Sequence, residues 1–186
     1  MLNIKPSTSI ALFLMAAALP ILSACDPKYN WREVHGKDAS FVVLLPDKPV
    51  SMSRPINLNG EPVTMTMTAA EVDGVNFAVG YVQVSDAKLA PAALNSMKTA
   101  LVKNINGAIK HEQPPAAQSV AEGQQTNATD IEATGTRATN SGAEPLLLIG
   151  HFAVKGNRVY QVIVLGSEKA VPREEANTFL SSFRPD

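Results

Sequence analysis

From residue 39 onward the chain is divided into short blocks in which the spacing of apolar residues changes between strand and helix periods. Residues 39–45, ASFVVLL, form an apolar, β-branched run closed by Pro46 and Pro49, the pattern of a buried strand. In residues 63–72, Val63, Met65, Met67 and Ala69 alternate with Thr64, Thr66 and Thr68, which predicts a strand buried on one face. Asp73-Gly74 follows, a pair that tolerates positive φ, and residues 75–85 resume with Phe77, Val79 and Tyr81 on one face. Together these segments predict a hairpin.

The period then lengthens. Across residues 90–111, Leu94, Met97, Leu101, Ile105, Ala108 and Ile109 fall on one helical stripe, with Pro91 suited to the first turn. One helix over 90–111 is the expectation. Residues 113–125, QPPAAQSVAEGQQ, have no period and contain Pro114-Pro115, so they read as a surface loop. Residues 128–136 form a polar, threonine-rich strand candidate, while 145–154 and 158–166 are strongly apolar strands joined by Lys155-Gly156-Asn157. Pro172 opens a last helix over 173–183, with Glu174 and Glu175 in its first turn and Ala176, Phe179, Leu180 and Phe183 at helical spacing. The hairpins make the sheet mostly antiparallel, and the expected fold class is α+β: about six or seven strands covered by two main helices.

Length and composition fit this picture. With 186 residues, 45% apolar and 18% charged, the chain has the makeup of one globular domain. Net charge is −1 with no dense basic run, which argues against nucleic acid as a partner.

The N-terminus has a different character. Lys5 and the α-amino group precede an uncharged stretch of about 13 residues, 10–22, the length of a signal-peptide core. A membrane span needs about 20 apolar residues, and Pro20 would interrupt one here. The stretch ends in Leu22, Ser23, Ala24 and Cys25, the chain's single cysteine. Leucine, two small residues and cysteine resemble the lipobox of bacterial lipoproteins. That resemblance implies cleavage between Ala24 and Cys25, a diacylglycerol thioether on the Cys25 sulfur and commonly an acylated amino group. Several acyl chains on one residue would give lasting attachment, since one chain alone holds only marginally. The expected organisation is therefore a signal peptide over 1–24, a lipidated tether over 25–36 and a single domain over 37–186. In enterobacterial lipoproteins an aspartate after the acylated cysteine resembles an inner-membrane retention signal, so Asp26 favours the inner over the outer membrane; otherwise it simply begins a polar tether. Tyr29 and Trp31 are available to cover the domain edge or touch lipid headgroups.

The segments FVVLLPDKP (41–49), GNRVYQVIVLG (156–166) and FLSSF (179–183) resemble the PsbP-like and DcrB-like α/β/α sandwich family. Its understood members act as extrinsic or binding subunits of larger assemblies, and the matching positions here are core and turn positions, so no functional residue carries over.

Candidate chemistry is sparse. No G-x-S-x-G elbow and no glycine-rich phosphate loop occur. His35, His111 and His151 are far apart along the chain and lack metal-site spacing; His151, inside an apolar strand, is expected to be a hydrogen-bonded structural residue. Met65-Thr66-Met67, with Met52, could offer thioethers to Cu(I), but methionines on that face equally suit a core. No catalytic, metal or cofactor residue is expected, and the covalent lipid on Cys25 is the one attached group. The functional expectation is a membrane-anchored envelope lipoprotein acting as a non-enzymatic binding or accessory module. Its partners would be the membrane, through the acyl chains, and an envelope protein. Docking would use the open sheet face or the loop that begins at Gln113. The alternatives are a carrier of a small apolar ligand held between sheet and helix, behind it a methionine-based copper binder, and last an unrecognised hydrolase.

Overall fold

The computed structural model describes residues 27–37, 41–114 and 127–185. Among these residues, ten strands and two α-helices follow one another in the order β1 (Arg32–His35), β2 (Phe41–Leu45), β3 (Val50–Leu58), β4 (Glu61–Val72), β5 (Val75–Gln83), α1 (Ala90–Asn104), β6 (Ala108–Gln113), β7 (Ala128–Thr139), β8 (Gly142–Lys155), β9 (Arg158–Ser167), α2 (Arg173–Ser182) and β10 (Arg184–Pro185). A seven-stranded antiparallel sheet of order β3-β4-β5-β9-β8-β7-β6 carries the domain. A second sheet, β1-β2-β10, is small and also antiparallel. The fold is the expected α+β sandwich.

Each face of the large sheet buries its own core. On one side, Met65, Ala78, Val82, Leu148, Phe152 and Ile163 pack under α1, whose Ala90, Ala93, Leu94, Met97 and Val102 point inward. On the other, Phe77, Val79, Leu147, Tyr160, Val162 and Val164 meet α2, through Ala176 and Phe179, and β2, through Phe41, Val43 and Leu45. The central strands face both cores, which is why β9 reads as an almost unbroken apolar run. Ser182 ties the second layer together: its Oγ donates to the Phe179 carbonyl (2.6 Å) and accepts from the Leu44 N–H (2.9 Å).

The Asp73-Gly74 hairpin forms as expected, with φ of 50° and 75°, the conformation a two-residue I′ connection requires. Asn59-Gly60, with φ of 56° and 87°, makes an equivalent turn between β3 and β4. The strand before that turn is absent from the sequence expectation. Its residues do alternate, but they lie on a sheet edge, and all except Ile56 and Leu58 are exposed.

The helix expected over 90–111 is shorter than its stripe. It ends at Asn104; Asn106 turns to φ 48°, and Ala108–Gln113 returns as strand β6. Packing explains the break. The Ile105 carbonyl accepts the Thr136 N–H (2.8 Å), and a Cβ on Gly135 would stand 2.2 Å from that same oxygen. The end of α1 is therefore docked backbone to backbone on β7, which a continuing helix would prevent. Lys98 on α1 also pairs with Glu112 on β6, and this hydrogen bond holds the Glu112 carboxyl below the usual carboxylate range.

Part of the segment expected as a tether is folded onto the domain. Asn30 N–H donates to the Pro46 carbonyl (2.8 Å), and β1 pairs with β2 from Arg32↔Leu45 to His35↔Val42. Trp31 meets Phe77 edge to face at 6.4 Å and stacks on Tyr29 at 6.0 Å. The two aromatics cover the domain edge.

Candidate functional site

The strand order β8-β7-β6 brings together groups that lie far apart in the chain. On the face that carries α2, β7 presents Asp130 and Glu132, two residues apart and therefore on the same side. Opposite them, His151 of β8 pairs in register with Asp130, and His111 of β6 pairs with Glu132. These side chains line a groove of about 650 Å³ that Asn177, Leu180 and Ser181 of α2 close from above. Its volume falls in the range of roughly 300–1,000 Å³ typical of ligand sites.

The polar side chains in the groove are largely paired. His151 Nδ1 lies 2.6 Å from Asp130 Oδ1, in an imidazole side chain that is only 12% exposed. Arg173, at the start of α2, spans to Glu132 with two bonds, Nη1 to Oε2 at 2.8 Å and Nη2 to Oε1 at 3.0 Å. That bidentate clamp holds the Glu132 carboxyl below its ordinary range and raises the Arg173 guanidinium. It also fixes the first turn of α2 over β7, so the groove's roof and floor are joined at one end. Phe183, of the second core, lies 6.1 Å from the His151 ring, centroid to centroid.

An oriented imidazole beside a carboxylate is one element of nucleophilic catalysis, to which a side-chain nucleophile such as a serine hydroxyl can be added. The serine lining the groove, Ser181, donates instead to the Thr178 carbonyl at 3.3 Å. Among the described residues no group of three or more His, Cys, Asp or Glu side chains is placed to hold a metal ion. The arrangement suits recognition: fixed hydrogen-bonding groups along an open channel, with Ile149 and Leu180 as apolar contacts.

The histidines separated along the chain are thus partly brought together: His111 and His151 share the groove, whereas His35 is exposed and bonds Glu33 at 2.9 Å. His151 is hydrogen-bonded, as its apolar strand led one to expect. Asp130, Glu132 and Arg173 were not singled out by the sequence, although two carboxylates two positions apart in a strand were a legible signal. Cys25, Ala24 and Asp26 lie outside the described residues; of the loop expected over 113–125, Gln113 is instead the last residue of β6, and 115–125 lie outside the described residues. Met65 is buried under α1 and Met67 is packed beside it, its Sδ accepting from Gln161 Nε2 at 3.5 Å; Met52, the register partner of Met67, is 67% exposed. Among the described residues no helix is long and apolar enough to cross a membrane.

No protein-family model matches the chain. No curated protein matches it either. Among solved structures it is similar to PA94 from Pseudomonas aeruginosa, described as a protein of unknown function and suggested regulator. The identity is 10%, the match covers 78% of this chain and 88% of that one, and the TM-score is 0.37.

Proposed function

We propose that the protein is a lipid-anchored lipoprotein of the bacterial cell envelope whose domain is a non-enzymatic binding module, with the groove under α2 as its recognition site. The observation that carries this reading is the pairing inside the groove. Asp130 with His151 and Glu132 with Arg173 form a rigid, satisfied polar frame that can present hydrogen bonds to a partner at little reorganisation cost. The lipobox residues Leu22 to Cys25 support the anchor, and Asp26 supports inner-membrane retention. The resemblance to PsbP-like and DcrB-like proteins favours an extrinsic or accessory role in a larger envelope assembly.

Photocrosslinking in intact cells tests the site. A benzoylphenylalanine at Asn177, which lines the groove, is expected to give a discrete protein adduct that the same probe at Lys88, remote from it, does not. The adduct should weaken when Arg173→Glu breaks the clamp. Identical adduct patterns at the two positions would remove the groove from the proposal.

The groove's size also keeps a small-ligand carrier in view. Its walls, with two carboxylates and two histidines, fit a polar ligand better than the apolar one the sequence suggested. A native mass spectrum without a co-purified molecule would count against the carrier.

A further inference from the structure

The large apolar side chains exposed among the described residues are Val50 at 71%, Met52 at 67%, Leu89 at 44% and Ile109 at 37%. The two most exposed are neighbours on one face of β3, a free edge of the large sheet. Edge strands are normally blunted by proline, charge or a bulge. The other edge, β6, has a register shift between Ile109 and His111 and carries Lys110. The later half of β3 has Arg54 and Pro55, and its Ile56 and Leu58 pack with the α1 core. Only the first half, Val50 to Ser53, has none of these devices. It presents apolar side chains and backbone groups together, a surface that calls for a cover.

The position of the N-terminal arm says what covers it. Lys28 Nζ is ion-paired with Asp73 Oδ2 at 2.9 Å, and Asn30 is bonded to Pro46. Val50 follows Pro46 by four residues and pairs in register with Ala69, four residues before Asp73. The chain therefore enters the domain at the end of the sheet where β3 begins. Cys25 precedes Lys28 by three residues, a reach of at most about 11 Å.

Resting on the lipid-anchor reading above, we propose that the occupant of the Val50–Met52 edge is the bilayer interface. The domain sits with the Asp73-Gly74 turn toward the lipid and Val50 and Met52 among the headgroups. The groove borders β6, the opposite edge of the sheet, and so stays open to the aqueous compartment.

Cys25 is the chain's single cysteine, and its sulfur is consumed by the thioether, so an introduced thiol takes a label alone. Full-length acylated protein carrying Met52→Cys, Lys88→Cys or Lys110→Cys is labelled with an environment-sensitive fluorophore. It is reconstituted into vesicles of phosphatidylethanolamine and phosphatidylglycerol that contain shallow nitroxide lipids. An interfacial depth of about 5–10 Å predicts quenching roughly threefold stronger at position 52 than at 88 or 110, and Val50→Cys should repeat the result if Met52→Cys folds poorly. Equal quenching at all positions, in protein whose acylation is verified by intact mass, overturns the seating. Shielding of position 52 in native membranes but not in pure lipid assigns the edge to a protein partner and overturns it as well. An unmodified Cys25 in the intact mass overturns the anchor itself, which separates the two failures.

Discussion

Trp31→Ala tests whether the N-terminal arm is a structural part of the domain. The indole makes two ring contacts, edge to face on Phe77 and stacked on Tyr29, each worth about 0.5–1.5 kcal/mol beyond the area it buries. Trp31 is only half-buried, so the hydrophobic part of the loss is smaller than for a core aromatic. Few other side chains hold the arm: in β1 only Val34 is partly buried, while Arg32, Glu33 and His35 are exposed. The substitution should therefore cost about 2 kcal/mol, nearly all of it in local opening of the arm, which multiplies the open population roughly 30-fold. Hydrogen exchange measures this directly. The Asn30 amide, bonded to Pro46, and the Gly36 amide, bonded to Phe41, should exchange about 30-fold faster, while amides of β5 and β9 stay at their original rates. Unchanged exchange at Asn30 and Gly36, or an equal acceleration across the whole sheet, would refute the reasoning. In the first case the aromatic contacts do not hold the arm; in the second the arm is inseparable from the core.

Gly135→Ala drives a Cβ to within 2.2 Å of the immobile Ile105 carbonyl and should cost about 3 kcal/mol in chemical denaturation, combining overpacking with loss of the Thr136–Ile105 bond; a loss under about 1 kcal/mol would sink the account of where α1 stops. Glu132→Gln reports on the clamp. The Glu132 carboxyl is lowered in the folded state, so its stabilisation is present above the unfolded carboxylate pKa of about 4.3 and fades as pH falls through the lower folded value. Arg173 is largely exposed, so wild type should exceed the variant by no more than about 1 kcal/mol at neutral pH and match it in strong acid; a gap that widens on acidification contradicts the pairing. Cys25→Ser should abolish metabolic lipid labelling and release the protein from membranes, and unchanged partitioning would reject the anchor. Asp26→Ser should shift the protein outward in membrane fractionation, and no shift leaves Asp26 as tether.

The strands that face a core on both sides, such as β9, and the two helix stripes were legible because burial imposes a period on the sequence. The exposed edges were not. In β3 the proline at 55 obscured an alternation that runs from Val50 to Leu58, since an edge strand tolerates a residue that a central strand rejects. Ile105, Ala108 and Ile109 continue the stripe of α1, yet tertiary contact at Gly135 overrides local periodicity and turns the chain at Asn106. The groove was hidden for a different reason. Its residues belong to three strands and a helix, and their meeting depends on β6, β7 and β8 lying side by side, which no local pattern states.

The small sheet joins the two extremities of the domain. In it β2 pairs with β10, Phe41 opposite Pro185 and Val42 opposite Arg184, while Phe179 and Phe183 fill the core beneath. A chain made or delivered N-terminus first completes its α1 face with β9, whose Val159 and Ile163 belong to that core, but the second core waits for Ala176, Phe179 and Phe183. The late partners span most of the chain's length, the kind of long-range closure that slows folding. One face of the sheet therefore closes after the other, and a chain cut before α2 would keep its second core open.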